Sequence, residues 1–560
     1  MSIPPIRRSA DVPAGDPHPL NRAPRFRDAA VVALALAPAV AAIWLVPWFV
    51  TQDGPAHLYN AAILVDSLRG GPAFGRFYEV RWDPLPNWGG HLTQMALVAA
   101  FPPRVADLLM TTITLLAVAL AAAWLHGRTA DGRPSTAARA LAALAAISFS
   151  WLMGFASFQL GAALFAITLG VWWKHRDDLR PGRMAGLSAL LVAGYFCHLV
   201  SLGLTGFAMG FLALASPGAG GRRSWRDRIG KLAACAAPVA ALLLVYLRLA
   251  RRGGAMTPVL PTPGEFLTLA GWAHRLGWAD PLSLAIKDVL PFDGRRGPGF
   301  LALAPIVWLA AAGLLLTLDA LRSGGGSGRE TGERRAWLGL SSVLFLGAIF
   351  GPDSMGPNHG DYLPQRVALL GLIAALPAIG PASGSLLGRL GAGAMVAALA
   401  LQTAAVWDYG LFSSRTAGRI AAAAPMVGEG RRVATLLAEA GTRFRANPAL
   451  HADCWLGVAG GNVVWSNYET RHYYFPVHFR EGLTHPDPYD LQEIALLGTA
   501  PETAERRREW WERVLTEHHD AIDVLLVWRE DPTLDAVTAR WFEPSARRGE
   551  VRIFRPREAR

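Results

Sequence analysis

The first residues in the chain whose types could do chemistry are Gln52-Asp53-Gly54-Pro55-Ala56-His57-Leu58-Tyr59-Asn60. Asp53 and His57 share one face of any helix that Gly54-Pro55 begins. A carboxylate beside an imidazole can serve as a general base with its partner, or can bind a divalent metal. The spacing leaves open a plainer alternative, an Asp capping an interfacial helix that carries a solvated His. A second polar group follows at Arg81-Trp82-Asp83-Pro84-Leu85-Pro86-Asn87-Trp88, with His91 just beyond. His91 opens an apolar segment, where an ionisable group is either functional or reaches back to the headgroups.

The third cluster is Asn358-His359-Gly360-Asp361-Tyr362-Leu363-Pro364-Gln365-Arg366, again at the start of an apolar segment. Arginine binds phosphate bidentately, so Arg366 at headgroup level suits a lipid phosphate; snorkelling to the interface is the alternative. His198 lies inside the apolar run 184–215 and must find a partner there, either at a bend between two half-helices or between helices. Gln159 invites the same two readings. Glu265, His274, Asp280 and Asp293 suit an interfacial flap. Residues 471–479, rich in Tyr and His, suit either a sugar or lipid contact or a small-domain core. The chain has no phosphate-binding Gly-Lys loop, no dinucleotide fingerprint and no HExxH, which disfavours ATP-driven transport and zincin chemistry.

These clusters must be positioned by membrane elements. The chain of 560 residues is 52% hydrophobic and only 17% charged, against about 25% charged in soluble domains. Residues 29–50 carry no ionisable side chain and are long enough to cross the hydrocarbon core. Further apolar segments are expected at about 89–101, 104–125, 137–153, 156–173, 184–215, 232–247, 300–318, 336–350, 367–380 and 391–407, about 11 spans in all. The net charge of +11 sits in short loops between the spans, which indicates topology and lipid contact and argues against nucleic acid. Placing the basic leader 1–28, the loop near 222–231 and the loop at 322–335 in the cytoplasm puts 51–88, 251–299, 351–365 and the C-terminal part outside. The basic loop 174–183 disagrees with this counting, unless 184–215 is a pair of short helices. The three cysteines form no metal or disulfide pattern. From residue 408 the composition turns polar, with helices expected at 431–445 and 501–519 and strands at 522–528 and 551–554, a small α/β domain.

An Asp just after the first span, a long first external loop, many helices and a terminal extracytoplasmic domain resemble the GT-C membrane glycosyltransferases. That class includes the protein O-mannosyltransferases and the lipid A aminoarabinose transferases. The resemblance covers residues 29–407 in layout, and its motif-level support is Asp53 to His57 and Arg366. It implies a polytopic α-helical membrane protein in a bacterial inner membrane, with 29–407 as the membrane domain, 51–88 carrying the site and 408–560 a soluble extracytoplasmic α/β domain. The implied donor is a polyprenyl-phosphate-linked sugar and the acceptor a glycan, lipid or protein. Asp53 would be the base of an inverting transfer and Arg366 would meet the phosphate. His57, His91, Tyr59, His198, His359 and Asp361 would contact substrate, and a divalent metal, if any, would sit on Asp53 and His57. Gly54 departs from the pattern, standing where many members carry a second acid. The competing classes are a non-catalytic assembly or scaffold protein and, third, a secondary transporter or lipid-linked sugar flippase.

Overall fold

The computed structural model describes residues 23–129, 135–216, 222–282, 304–322, 328–356, 359–380, 384–442 and 444–557. Most of the basic leader, Asp293 and Asn358 lie outside them. Among the described residues, five helices are long and apolar enough to cross a membrane: Arg27–Leu45, Pro103–Thr129, Ala156–His175, Trp225–Gly253 and Leu386–Val427. Only 28% of the first and 22% of the fourth is buried within the protein. Leu34 and Leu244 accordingly point outward, an arrangement stable in hydrocarbon and not in water. The protein is a multi-pass membrane protein.

Other apolar segments form shorter helices, so helix length does not establish the expected count of about 11 spans. Trp88–Ala100 has 13 residues. Arg104, just beyond it, donates Nη1 to the Phe49 carbonyl at 2.9 Å. This helix therefore returns to the end of the bundle it left and does not cross. Residues 184–215 do form two helices, Pro181–Cys197 and Leu199–Ala215, with extended His198 as the joint. Arg228 pairs with Asp177, which brings loop 174–183 to the same end as the basic segment 222–231. Arg139 with Asp28 and Arg176 with Glu333 mark that end too, as does His126 Nε2 against the Ile379 carbonyl at 3.2 Å. The discrepancy in loop charge disappears once Trp88–Ala100 is no longer counted as a span.

The last long helix, Leu386–Arg415, runs past the composition change at 408. A five-stranded sheet follows, ordered β3 (Val463–Val464), β2 (Arg432–Leu437), β5 (Val524–Trp528), β7 (Val551–Pro556) and β6 (Phe542–Arg548). β2 is parallel to β3 and β5, while β7 is antiparallel to β5 and β6. The expected helix at 431–445 is therefore a strand. Val433–Leu437 is buried on both faces beside β5, and such a central strand shows no alternation to distinguish it from a buried helix. The helix Ala504–His518 and the strands β5 and β7 lie where the sequence put them.

A second, two-stranded sheet joins segment 51–88 to the C-terminal part, pairing β1 (Tyr78–Val80) with β4 (Val477–Phe479) antiparallel. Tyr59 adds a side-chain lock. Its hydroxyl donates to the Asn462 carbonyl at 2.7 Å and lies 3.0 Å from the Tyr78 hydroxyl. A Cβ built on Gly457 would stand 2.3 Å from the Tyr59 ring, so only glycine admits this approach. Gly457→Val should cost about 1–3 kcal/mol through overpacking, read as a lowered thermal midpoint and faster proteolysis of the C-terminal domain in detergent.

Candidate functional site

Helix Gly54–Leu68 starts immediately after Asp53, with proline in its first turn. Asp53 occupies the cap position but makes no side-chain capping bond, so the capping alternative does not hold. Its carboxylate, only 6% exposed, accepts from the Tyr468 hydroxyl at 3.2 Å and from Gln52 Nε2 at 3.3 Å. His451 Nε2 stands 3.6 Å away. Burial pushes the Asp53 carboxyl up to about 6, against the pull of His57 and the bonds from Gln52 and Tyr468. Burial, reinforced by the charge of His57, pushes His451 down to about 3 and leaves it neutral.

His57, expected beside Asp53 as a metal pair, also faces a second carboxylate. His57 turns Nδ1 toward Glu469 Oε1 at 2.5 Å, and His91 Nε2 meets Glu469 Oε2 at 2.8 Å. Glu469 has no exposed surface. Burial opposes its charge, but His57 and His91 hold the carboxyl well below the ordinary glutamate range. For His57 burial likewise opposes the charge, and Glu469 outweighs it to lift the imidazole above its usual value. Glu469, His451 and Tyr468 escaped the sequence reading. The signal for Tyr468 and Glu469 was that they stand just ahead of the Tyr- and His-rich stretch 471–479; His451 had none.

Arg366 sits in the first turn of Leu363–Ala375. Its guanidinium lies 4.5 Å from the Phe155 ring centroid and 5.5 Å from that of Phe158, and its Nε is buried with no hydrogen-bond partner among the described residues. His198 Nδ1 accepts from the Val200 N–H at 3.2 Å, which leaves the ring proton on Nε2. That nitrogen faces Arg366 Nη1 at 3.3 Å. Two donors thus converge with no acceptor between them, an arrangement that an anion would complete.

Asp53, His57, His198, His359, Asp361 and Arg366 line one cavity of about 400 Å³, on the end of the bundle away from the basic loops. His451, Tyr468, His472, Tyr474 and Phe475 of the C-terminal domain form its other wall. Two lining residues have left-handed backbone, Asn87 at φ 74° and Tyr362 at φ 56°. For tyrosine this is a strained conformation, of the kind concentrated at functional sites. Asn87 aims its carbonyl at Ser157 Oγ and at His91 Nδ1, 2.7 and 3.4 Å away. Tyr59 does not line the cavity and belongs to the structural lock described above. Glu265 caps its own short helix through Thr262, and neither it nor His274 nor Asp280 reaches the cavity.

Because Asp53 rises from 3.8 to about 6 on folding, its ionised form opposes the fold by up to about 3 kcal/mol. That penalty is absent below pH 4, grows between the two values and is complete above the upper one. Asp53→Asn should therefore raise the thermal midpoint at pH 7.5 and lose that advantage at pH 4, measured by differential scanning fluorimetry of both proteins.

No family model and no curated protein matches the chain. Among solved structures it is similar to the arabinofuranosyltransferase AftD from Mycobacteria, at 14% identity and a TM-score of 0.46, over 95% of this chain and 40% of that one. A mutant of the same protein gives 14% and 0.45, over 96% and 42%. ArnT from Cupriavidus metallidurans in the apo state gives 12% and 0.38, over 94% and 98%. The chain thus spans less than half the length of the AftD structures that it matches.

Proposed function

We propose that the protein is a GT-C-type membrane glycosyltransferase that moves a sugar from a polyprenyl-phosphate donor to a hydroxyl acceptor. The observation that carries this reading is the shared cavity. A buried carboxylate near neutrality, Asp53, and a buried cation, Arg366, whose Nε has no hydrogen-bond partner among the described residues, line the same space of about 400 Å³. A transfer between a hydroxyl and a phosphate ester needs those two charges.

In this mechanism Asp53 takes the proton of the acceptor hydroxyl as its oxygen attacks the anomeric carbon. The bond from that carbon to the phosphate oxygen breaks on the opposite side, so the configuration inverts. The polyprenyl phosphate leaves with the bonding pair, and its charge is met by Arg366 Nη1 and His198 Nε2. The proton stays on Asp53 until solvent removes it. Neutral His451 and Tyr468 hold the Asp53 carboxylate in place. The apolar residues Met153, Phe158, Leu199 and Val200 on the cavity wall suit the first isoprene units of a lipid donor. The cavity end faces outward in this reading, with the N-terminus and basic loops in the cytoplasm of a bacterial inner membrane.

The test uses protein in nanodiscs with a panel of radiolabelled polyprenyl-phosphate sugars. Asp53→Asn should lower kcat/KM by about 10²–10⁴-fold, and Arg366→Met by about 10²–10³-fold. Wild-type rates should fall about tenfold per pH unit once the base is protonated, as expected of a single essential base. Turnover that survives in Asp53→Asn would remove Asp53 as the base. Failure of every donor, with membrane extract supplied as acceptor, would overturn the glycosyltransferase reading.

A further inference from the structure

We propose that His57 Nδ1, His91 Nε2 and the Glu469 carboxylate form a binding site for one divalent transition-metal ion, with zinc the best match. The ligating atoms of the three residues lie within 4.8 Å of one another. Zinc–nitrogen bonds of about 2.0–2.1 Å in a tetrahedron set ligand atoms about 3.4 Å apart. The present contacts of 2.5 and 2.8 Å need to open by less than 1 Å, roughly a small side-chain rotation. Two imidazoles and one carboxylate, with a fourth position left over, make the ligand set of open zinc sites.

The outer nitrogens supply an independent argument. His91 Nδ1 points at the Asn87 carbonyl, 3.4 Å away, and the His57 ring has the Gly154 carbonyl as a further hydrogen-bond partner. Main-chain acceptors on the far side of each ring are the usual support of ligating histidines, because they fix the proton on the outer nitrogen. The inner nitrogens then direct lone pairs at the Glu469 carboxylate. That convergence is repulsive unless a cation stands between them, either two protons or one metal ion. Glu469 has no exposed surface and His91 is 3% exposed, so water reaches the site only past His57, on the cavity side. A dication balances Glu469 and Asp53 together.

The ion would join helix Gly54–Leu68, helix Trp88–Ala100 and the turn Tyr468–Arg471, and His57 would present it to the cavity. The inference does not rest on glycosyl transfer, and its test needs no turnover. Chelator-stripped full-length protein in nanodiscs would be titrated with zinc alone, by calorimetry and by thermal unfolding. Cobalt(II) would be added separately as a spectroscopic probe. One zinc per chain, a midpoint raised by several degrees and the visible absorption of tetrahedral cobalt are expected. His91→Gln and Glu469→Gln should each weaken zinc binding by at least about 100-fold and abolish the cobalt bands. Sub-stoichiometric zinc in wild type would overturn the site. So would binding that His91→Gln, shown folded by its retained near-UV spectrum, leaves unchanged.

Discussion

The site depends on one carboxylate with no access to water. Glu469 comes from the C-terminal domain, yet both of its oxygens are engaged by histidines of the membrane-proximal segment, His57 and His91. A bare carboxylate in such a place costs several kcal/mol, and it persists only because opposite charge meets it at close range. The same contact fixes where the domain sits. With His57 held on Glu469, Asp53 one turn earlier is held beside Tyr468, the residue before Glu469. The reciprocal amide pair of Asn60 and Asn467, at 2.9 and 3.0 Å, continues this line of contact one turn further along the helix. Three successive positions on one helix face therefore meet one short stretch, residues 467–469. The wall of the cavity is assembled by that pairing.

Around this anchor the protein carries features that oppose folding. Asp53 is buried enough to rise to about 6, Arg366 is 8% exposed with an unsatisfied Nε, and Tyr362 adopts a left-handed backbone. Each is a recognised cost when taken alone. They coincide on one cavity, while the spans behind them are filled by ordinary apolar side chains such as Leu115, Phe165 and Trp172. A protein that needed only to hold partners together would gain nothing from concentrating these costs at one place.

Local sequence made some of this legible. The apolar runs, the break at His198 and the three polar clusters are properties of short windows, in which length and charge decide the outcome. The pairing of Arg366 with His198, 168 positions apart, is not a local property, nor is that of His57 with Glu469. Their types marked them as candidates and their partners came from the fold. The segment 89–101 was read as a span for a related reason. Trp88–Ala100 buries His91, Gln94 and Met95 and leaves Leu92 exposed, so its apolar face suits the surrounding lipid without a crossing. Strand β2 was misread because full burial erases the alternation that identifies a strand.

Gly54 carries the comparison of sequence and structure furthest. A second acid directly after Asp53 would satisfy the paired-acid pattern, and the packing around position 54 opposes it. A Cβ at position 54 would stand 2.5 Å from Thr51 Oγ1 and 3.3 Å from Asp107 Oδ1, one a steric conflict and the other a carboxylate. Gly154 closes the other side, since a Cβ there would lie 2.9 Å from the Gly54 nitrogen. Two backbones cross here with no room for side chains, and that crossing sets the entry angle of the helix bearing His57. A second carboxylate does meet this helix, brought by Glu469 from the C-terminal part to His57, one turn beyond Asp53. The contact that pairs His57 also docks the C-terminal part, so a chain that loses this docking loses the partner of helix Gly54–Leu68.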